Sequence, residues 1–335
     1  MAVHAARGRE ANRAADADLH QARPVDRRRG TRPAGAGVTD RATSGGVGTP
    51  DVARSGQKRQ NTPPPPPEPL PSPVLDAHCH LDAMAQRAGL EPTHEFVAEV
   101  MARARDVNVT AVITVGDTLE SSAWCVRAAS EHPDVYAAVA VHPTEVAGLT
   151  DEDYAELERL ARHPRVVAVG ETGLDYYWDR TTPAEQHVHF RRHIDLAKRV
   201  GKTLMIHDRD AHADVLRMLL EEGAPERVVF HAFSGDAAMA RVCVDAGYVL
   251  SVAGVATFTN APGVREAVAS VNTDDILLET DAPFLAPHPF RGRPNGPYLL
   301  PHTLLAVAKL QAVEPAALCA ATRRTANTMY GLCLT

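Results

Sequence analysis

From residue 74 onward, short apolar runs alternate with segments in which apolar residues recur every three or four positions. The runs are rich in Val and Ile and nearly continuous in apolarity, which is typical of parallel strands covered on both faces. The predicted strands span residues 74–79, 109–115, 135–141, 165–171, 203–207, 227–231, 248–252 and 275–280. A strand followed by a helix, eight times, predicts an α/β fold of the (β/α)8 TIM-barrel type. A doubly wound open sheet is the alternative, but no Gly-x-Gly-x-x-Gly or Walker-type loop follows any run, which disfavours it.

Helix-start signals fall between the predicted strands. Thr93 precedes a run with three-to-four periodicity, and Asp117 with Glu120 fits a cap followed by an acid three positions later. Thr182, followed by a proline and by a glutamate three positions on, predicts a helix that ends near residue 200, where Gly201 supplies a stop. The Pro- and Gly-rich segment 283–301 is predicted to be an ordered loop over the site.

Residues 1–73 differ from the rest of the chain. They have almost no apolar clusters, are rich in Ala, Arg, Gly and Pro, and include five consecutive prolines at positions 63–67. Such a segment cannot bury enough apolar surface to offset its ordering entropy, so it is predicted to be a disordered tail with a stiff, extended proline spacer. Residues 74–335 then form one barrel domain.

Charge divides the chain at the same place. Residues 1–73 carry 12 Lys and Arg against 7 Asp and Glu, which leaves 23 against 35, a net charge of −12, for residues 74–335. An acidic body does not attract nucleic acid over its whole surface, but it suits a protein that collects divalent cations. We expect no signal peptide and no membrane span, since no apolar stretch of the required length occurs. Five irregularly spaced cysteines favour a reduced, cytoplasmic chain without a disulfide framework. No obligate protein partner is inferred.

The first predicted strand carries a pair of histidines. His78 and His80 are two positions apart, so on a strand they share one face and can bind one metal ion, while Cys79 points into whatever packs behind the strand. A His-x-His pair alone is weak support for a metal site, and a packing role is its ordinary explanation. The remaining strand ends change that balance.

Other metal-ligand types stand where further predicted strands end. They are Glu171 after strand four, His207 after strand five, His231 after strand six, and Glu279 with Asp281 after strand eight. The carboxyl ends of barrel strands converge on one mouth, where active sites of this fold lie. Four histidines and two or three carboxylates there make a ligand set for two divalent ions.

The chemistry of a two-ion site assigns a role to each ligand. Two ions about 3.5–4 Å apart need a bridging carboxylate, which we predict is Glu171. The first ion takes His78, His80 and Asp281. The second takes His207 and His231. Asp281 can also hold the attacking water and act as general base, and Glu279 is either an orienting group or a further ligand.

At this point the chain resembles a known family, the TatD-type metal-dependent deoxyribonucleases of the amidohydrolase-like barrels. The matching blocks are Asp76-Ala77-His78-Cys79-His80-Leu81, Val141-His142-Pro143, Val169-Gly170-Glu171-Thr172-Gly173-Leu174-Asp175-Tyr176, His207-Asp208-Arg209-Asp210-Ala211, His231-Ala232-Phe233-Ser234-Gly235 and Leu278-Glu279-Thr280-Asp281-Ala282-Pro283. They span about residues 74–332. The resemblance implies a TIM barrel, a divalent-metal site and hydrolysis of DNA phosphodiesters, with His142 near the scissile phosphate.

One block departs from the family pattern. Members often carry Arg-Asn-Glu-Pro after the eighth strand, whereas this chain has Gly296 where the acid is common. Substrate preference can differ here if that acid contacts substrate or fixes the loop.

Further residues have both a functional and a structural interpretation. Arg209 shares the face of His207 and can reach a phosphate oxygen, or it forms a salt bridge to a neighbouring aspartate. Arg291 and Arg293 either bind a nucleic-acid backbone or lie in a solvated loop. The aromatic residues at 176–178 either stack on bases or pack as a lid. Ser234 has no base and acid arranged around it, which disfavours a nucleophilic role.

The sequence therefore predicts a hydrolase with two divalent ions (Mg, Mn or Zn) that cleaves DNA, single-stranded or at an end. Catalysis is assigned to Asp281, Glu171 and His142, and substrate contacts to His142, Arg209 and Glu279. An amide or ester hydrolase on the same ions, such as one for a cyclic amide or an aminoacyl ester, is the first alternative. A non-catalytic scaffold barrel is the second, and the complete ligand set disfavours it. Histidine-rich ligation suits Zn, Mn or Fe better than Mg.

Overall fold

The computed structural model describes residues 62–335. Within these residues eight strands form one parallel sheet whose spatial order follows the chain. The strands are β1 (Val74–Cys79), β2 (Val109–Val115), β3 (Val135–Val139), β4 (Val166–Asp175), β5 (Thr203–Arg209), β6 (Val228–Phe230), β7 (Val249–Val252) and β8 (Ile276–Leu278). The predicted TIM barrel is confirmed, and it brings the carboxyl ends of all eight strands to one mouth.

Helices separate the strands. They are α1 (Leu81–Arg87), α2 (His94–Arg105), α3 (Leu119–Glu131), α4 (Asp151–Ala161), α5 (Pro183–Val200), α6 (His212–Glu222), α7 (Ala237–Asp245), α8 (Pro262–Ser270), α9 (Leu300–Leu310) and α10 (Pro315–Tyr330). Short 3₁₀ turns add Pro143–Glu145, Gly254–Thr257, Thr273–Asp275 and Pro297–Leu299.

The barrel interior is filled by small and branched side chains from the strands. Leu75, Ile113 and Met205 belong to this buried cluster, which the last helix, α10, completes with Met329 and Tyr330. Two further clusters lie between the strands and the helices that surround them. Because the interior is closely packed, it holds the ligand-type residues at the strand ends in fixed positions.

The seam between β8 and β1 is joined differently from the other neighbours. Within the described residues, one isolated bridge from Cys79 to Ala282 replaces the continuous ladder seen elsewhere. The Asp281 amide donates to the His78 carbonyl at 2.9 Å, and the His80 amide donates to the Ala282 carbonyl at 2.7 Å. The seam is therefore held at the level of the predicted metal ligands.

The predicted strands are all present, although several of their boundaries differ from the prediction and one predicted helix cap is wrong. Strand β4 continues four residues past Glu171, because Gly173 (φ 147°) lets it approach β5; a Cβ there would lie 2.0 Å from the His207 carbonyl oxygen. Helix α3 is capped by the Thr118 hydroxyl, which accepts from the Ser121 amide at 3.1 Å, and not by Asp117. The caps predicted at Thr93 and Thr182 are confirmed.

The N-terminal segment does not end where the sequence suggests. Residues 62–73 lie against the barrel, since Leu70 is buried and its amide donates to the Val107 carbonyl at 3.1 Å. The Tyr298 hydroxyl also donates to the Pro64 carbonyl at 2.9 Å. The predicted disorder of residues 62–73 is therefore corrected by these contacts, whereas the rest of that prediction, for residues 1–61, lies outside the described residues.

The predicted loop over the site begins at Pro283 and reaches the 3₁₀ turn at Pro297. Asn295 orders it, because its side-chain amide donates to the Thr280 carbonyl at 2.8 Å and to the Phe284 carbonyl at 2.5 Å. Helix α9 starts inside the predicted segment, at Leu300.

In residues 62–335, no single helix has the length and apolarity needed to cross a membrane. The segments Pro297–Leu310 and Pro315–Tyr330 meet these criteria only as a pair bent by 106°. Both bury one side against the barrel.

Candidate metal centre

The structure brings all six predicted metal ligands together at the mouth of the barrel. His78, Glu171 and His207 lie on β1, β4 and β5. His80, His231 and Asp281 lie just beyond the ends of β1, β6 and β8. Five of the six are buried, and His207 is partly exposed.

Four side-chain atoms converge in the first ligand group. The Nε2 atoms of His78 and His80 are 3.1 Å apart. Glu171 Oε1 lies 3.7 Å from the first and 3.5 Å from the second, and Asp281 Oδ1 lies 3.8 Å and 3.5 Å from them. His80 stands one residue past the strand, yet its ring shares the face of His78 as the two-residue period predicts.

The second ligand group uses the other oxygen of the same carboxylate. Glu171 Oε2 lies 2.8 Å from His231 Nε2 and 3.1 Å from His207 Nδ1. The rings of His78 and His231 stack at 3.9 Å between the two groups. Glu171 thus directs one oxygen to each group, which is the arrangement that a bridging carboxylate requires.

Hydrogen bonds at the far nitrogens orient three of the four imidazoles. His80 Nδ1 lies 3.0 Å from the Val115 carbonyl oxygen, so it donates and leaves Nε2 free as an acceptor or ligand. His231 Nδ1 lies 3.1 Å from Glu279 Oε1, and His207 Nε2 lies 3.0 Å from Asp175 Oδ2. Such bonds fix the tautomer and ring orientation of metal-binding histidines. His78 differs, since its buried Nδ1 has no hydrogen-bond partner within residues 62–335.

Electrostatics at the centre favour a carboxylate anion at Glu171 and a neutral ring at His78. Burial alone raises the pKa of Glu171, but the facing His231 and the hydrogen bonds from His207 and His231 outweigh it and hold that pKa well below its usual range. Burial and the neighbouring His231 lower the pKa of His78 well below its ordinary value, so its ring is neutral and can donate a lone pair.

The first group fits a divalent ion. Ligand atoms bound at about 2.0–2.1 Å in a tetrahedral site are about 3.4 Å apart, and the five spacings above range from 3.1 to 3.8 Å around that value. The second group offers a carboxylate and two imidazoles at 2.8 and 3.1 Å, spacings at which a hydrogen bond also forms. Both groups have three ligand atoms close enough to hold an ion.

His142 stands beside the second group, with its ring 4.4 Å from that of His207. Its Nδ1 accepts from the Thr144 backbone amide at 3.2 Å, so the proton of the neutral ring lies on Nε2. Burial and the neighbouring His207 lower the pKa of His142 to about 3. His142 is therefore a neutral hydrogen-bond donor at the site.

Glu279 lies beneath the site and not at its opening. Its carboxylate is fully buried and accepts from Ser251 and from the Ala232 amide, besides His231. A substrate cannot reach it, so the predicted substrate contact is corrected. The alternative orienting role fits, because the carboxylate holds the His231 ring.

Sequence reasoning missed three carboxylates that support the ligands. Asp175 orients His207, and Asp117 Oδ1 lies 3.4 Å from His80 Nδ1. Asp76 accepts from the Thr280 amide at 2.9 Å across the seam, and burial raises its pKa to about 7 against the hydrogen bonds from Thr280. Asp76 and Asp175 lie within the sequence blocks that resemble the family, and a polar residue inside an apolar strand is the signal that could have identified them. Asp117 instead fits the predicted cap of helix α3.

The rim of the mouth carries aromatic side chains and one arginine. Tyr177 and Trp178 are about half exposed, and the Arg209 guanidinium carbon lies 3.8 Å from the Tyr177 ring centroid. Tyr176 differs, because its hydroxyl donates to Asp214 at 2.7 Å away from the opening. The alternative salt bridge of Arg209 is not formed with any described residue, and Asp208 pairs instead with His212 at 2.8 Å.

Ser234 and Gly296 have structural surroundings. The Ser234 hydroxyl donates to the Asp208 carbonyl at 3.0 Å. A Cβ at Gly296 would lie 3.2 Å from the Tyr298 ring and 3.4 Å from the end of Met84. The departure from the family pattern therefore falls at the end of the loop that follows β8.

Comparison with known proteins agrees with this geometry. The model of the TatD-related DNase family matches residues 75–331. A protein of Mycobacterium tuberculosis described as an uncharacterized metal-dependent hydrolase, TatD, is 52% identical over 264 residues, 77% of this chain and 98% of its own length. The 3'-5' ssDNA/RNA exonuclease TatD of Klebsiella pneumoniae is 33% identical over 241 residues, 70% of this chain and 91% of its own length.

A solved structure gives the same result. YJJV, a TatD homologue from Escherichia coli K12, superimposes with a TM-score of 0.72 at 27% identity and covers 78% of this chain and 98% of that one. The family predicted from the sequence blocks is confirmed. With the family model matching most of the chain and a relative at 52% identity, this protein belongs to the TatD-related DNase family and is a metal-dependent hydrolase.

Proposed function

We propose that this protein is a nuclease with two divalent ions that trims single-stranded nucleic acid from an end. The observation that carries the proposal is the position of the Glu171 carboxylate between the two ligand groups. Its Oε1 faces His78 and His80, and its Oε2 faces His207 and His231. Paired ions with one bridging carboxylate suit displacement at a phosphodiester. The name of the Klebsiella relative, a 3'-5' ssDNA/RNA exonuclease, supports the substrate class and the attack at an end.

The chain's own residues divide the remaining work. Divalent ions bound at the two groups would polarise the scissile phosphate and lower the pKa of the attacking water. Asp281, whose side chain is 11% exposed at the mouth, would accept the proton from that water. His142 would donate a hydrogen bond from its Nε2–H to a phosphate oxygen, a role that its neutral state and fixed tautomer support.

The rim would hold the strand. Arg209 would pair with a phosphate, and the exposed rings of Tyr177 and Trp178 would stack on bases, since stacking accepts any base. We place this activity in the cytoplasm. The five cysteines, all unpaired, suit a reducing compartment.

The test is hydrolysis of single-stranded 20-mers labelled at the 5' or the 3' end. Metal-stripped protein receives Mg, Mn or Zn in turn, beside a His78→Ala, His80→Ala double variant and a His94→Ala control, whose ring is about half exposed on α2. We expect metal-dependent shortening from one end, lost in the double variant and kept in the control.

Three results would overturn the proposal. Equal cleavage by the double variant would show that another nuclease in the preparation acts. Absence of cleavage by protein shown to hold two ions would favour the amide or ester hydrolase, and protein that binds no metal would favour the scaffold.

A further inference from the structure

A groove lies beside the mouth, between α1, α2 and the loop that follows β8. It has a volume of about 480 Å³. We call it the arginine groove, after Arg87, Arg103 and Arg293, which line it. Pro63 of the N-terminal segment forms one edge, and Met84 and Phe96 contribute apolar walls. A cavity of this size suits a group as large as a nucleotide.

The arginine groove adjoins the metal centre. Pro283, two residues after Asp281, belongs to its wall. The ring of Phe284 lies 5.8 Å from the His80 ring and 5.9 Å from the Arg87 guanidinium carbon. Since one aromatic ring separates the groove from the first ligand group, a chain that leaves the metal centre on this side enters the groove.

The charge of the groove is opposite to that of the body around it. Residues 74–335 carry a net charge of −12, and many of their arginines form ion pairs, such as Arg191 and Arg217. In contrast, Arg87, Arg103 and Arg293 make no ion pair with any residue in 62–335, and Glu99 is the one acid among the lining residues. Three guanidinium groups without carboxylate partners fit phosphate.

Two of the arginines are already held in place. Arg103 lies 4.0 Å from the Tyr298 ring centroid. Arg293 donates to the Thr62 carbonyl at 2.9 Å and to the Pro63 carbonyl at 3.2 Å. Ordering them before a ligand arrives reduces the entropy lost on binding. Beside them, Leu90 and Phe284 remain 56% and 44% exposed, which offers apolar surface to a base.

We propose that the arginine groove binds the nucleotides of a single-stranded nucleic acid that lie next to the one being cleaved. The inference rests on the proposed nuclease function and adds to it a second contact region. Phosphates pair with the arginines, and a base contacts Leu90 or Phe284. The site therefore favours oligonucleotides over dinucleotides.

The experiment measures binding of a labelled 12-mer of deoxythymidine to metal-free protein between 50 and 200 mM salt. The groove variant is Arg87→Gln with Arg103→Gln. Its matched control is Arg127→Gln with Arg241→Gln, which removes two exposed positive charges from helices α3 and α7. Arg87→Glu is a second groove variant, which changes an exposed side chain and leaves the Arg103 contact with Tyr298 intact.

We expect both groove variants to bind at least tenfold more weakly than the control. Loss of two phosphate contacts should also make the slope of log affinity against log salt less negative by about 1.4 in the double variant. In turnover, kcat/KM on the 12-mer should fall relative to that on a dinucleotide. Equal weakening in groove and control variants, or no weakening in either, would overturn the inference.

The two proposals fail separately. Protein that cleaves the 12-mer, but whose groove variants bind it as the control does, keeps the nuclease function and loses the groove. Protein that binds the 12-mer through the groove, but cleaves no oligonucleotide with any metal, keeps the groove as a nucleic-acid site and loses the nuclease.

Discussion

Asp175 gives the sharpest single test of the metal centre. Its Oδ2 accepts from His207 Nε2 at 3.0 Å, which leaves His207 Nδ1 to face Glu171. Its Oδ1 accepts from the Tyr177 amide at 2.9 Å and the Trp178 amide at 3.0 Å. Asp175→Asn keeps the shape of the side chain but replaces one acceptor oxygen with a donor.

The structure determines which way the new amide turns. With its oxygen toward Tyr177 and Trp178, both backbone bonds survive. The reverse orientation would leave these two part-buried amides without the oxygen that accepts from them, which is unfavourable. The Asn nitrogen therefore faces His207 Nε2, two donors meet, and the ring can relieve the conflict only by moving its proton to Nδ1. That proton occupies the lone pair that a metal needs.

Loss of such an orienting bond costs tenfold to a hundredfold in metal affinity, about 1.4–2.7 kcal/mol. We would measure Zn and Mn affinity by competition with a chelator, together with the midpoint of thermal unfolding. Asp134→Asn is the control, since Asp134 pairs with Arg105 just before β3, at the opposite end of the barrel. Metal affinity within twofold of the parent protein for a folded Asp175→Asn variant would refute the orienting role.

Three further predictions concern other parts of the molecule. Glu171→Ala should abolish metal-dependent hydrolysis and lower metal stoichiometry in a folded barrel, because both ligand groups lose an oxygen; retained turnover, with the metal content measured in parallel, would refute the bridge. Deleting residues 1–61 should leave turnover within a few-fold, whereas deleting 1–70 should lower the free energy of unfolding by about 2 kcal/mol through loss of buried Leu70, as denaturant melts of the two truncations would show. His193 is fully buried, and burial lowers its pKa to about 4. The unfolded chain therefore takes up a proton at His193 near pH 6.5, whereas the folded chain does so only near pH 4. The free energy of unfolding should fall by on the order of 3 kcal/mol as the pH drops from 6.5 toward 4. Urea melts should show a flatter pH dependence for His193→Gln, and an unchanged dependence would contradict this assignment.

The fold was predictable because the barrel strands leave a clear apolar pattern. Each strand is covered on both faces, so its apolar run is nearly unbroken and its position follows from the sequence. The end of β4 was not predictable from the sequence, because residues 171–175 mix polar residues with a glycine in a way that also suits a loop. Only the close approach of Gly173 to the His207 backbone extends the strand.

The site was predictable to the level of residue type and strand end. Strand-end histidines and carboxylates had to converge in a barrel, so the convergence of the six candidate ligands followed from the fold. The depth at which each side chain lies within the barrel did not follow from the sequence. Glu279 and Asp281 are two residues apart, so a continuing strand would place them on one face, but the chain turns at Asp281 (φ 50°), which puts the two carboxylates at different depths. The support from Asp175 depends likewise on contacts between strands that no spacing along the chain reveals.

The weakly paired seam between β8 and β1 gives the first ligand group a second consequence. His78 and His80 stand on one side of it and Asp281 on the other, some 200 residues later in the chain. An ion shared by these side chains would cross-link the first and the last strand of the barrel and so close a loop of some 200 residues. Because metal binding to a folded site adds directly to folding stability, free ion at a hundred times its dissociation constant would contribute about 2.7 kcal/mol. In the metal-free protein the amide hydrogens of this seam would then be the first in the barrel to exchange with solvent. Metal supply would therefore control both the hydrolytic site and the closure of the barrel.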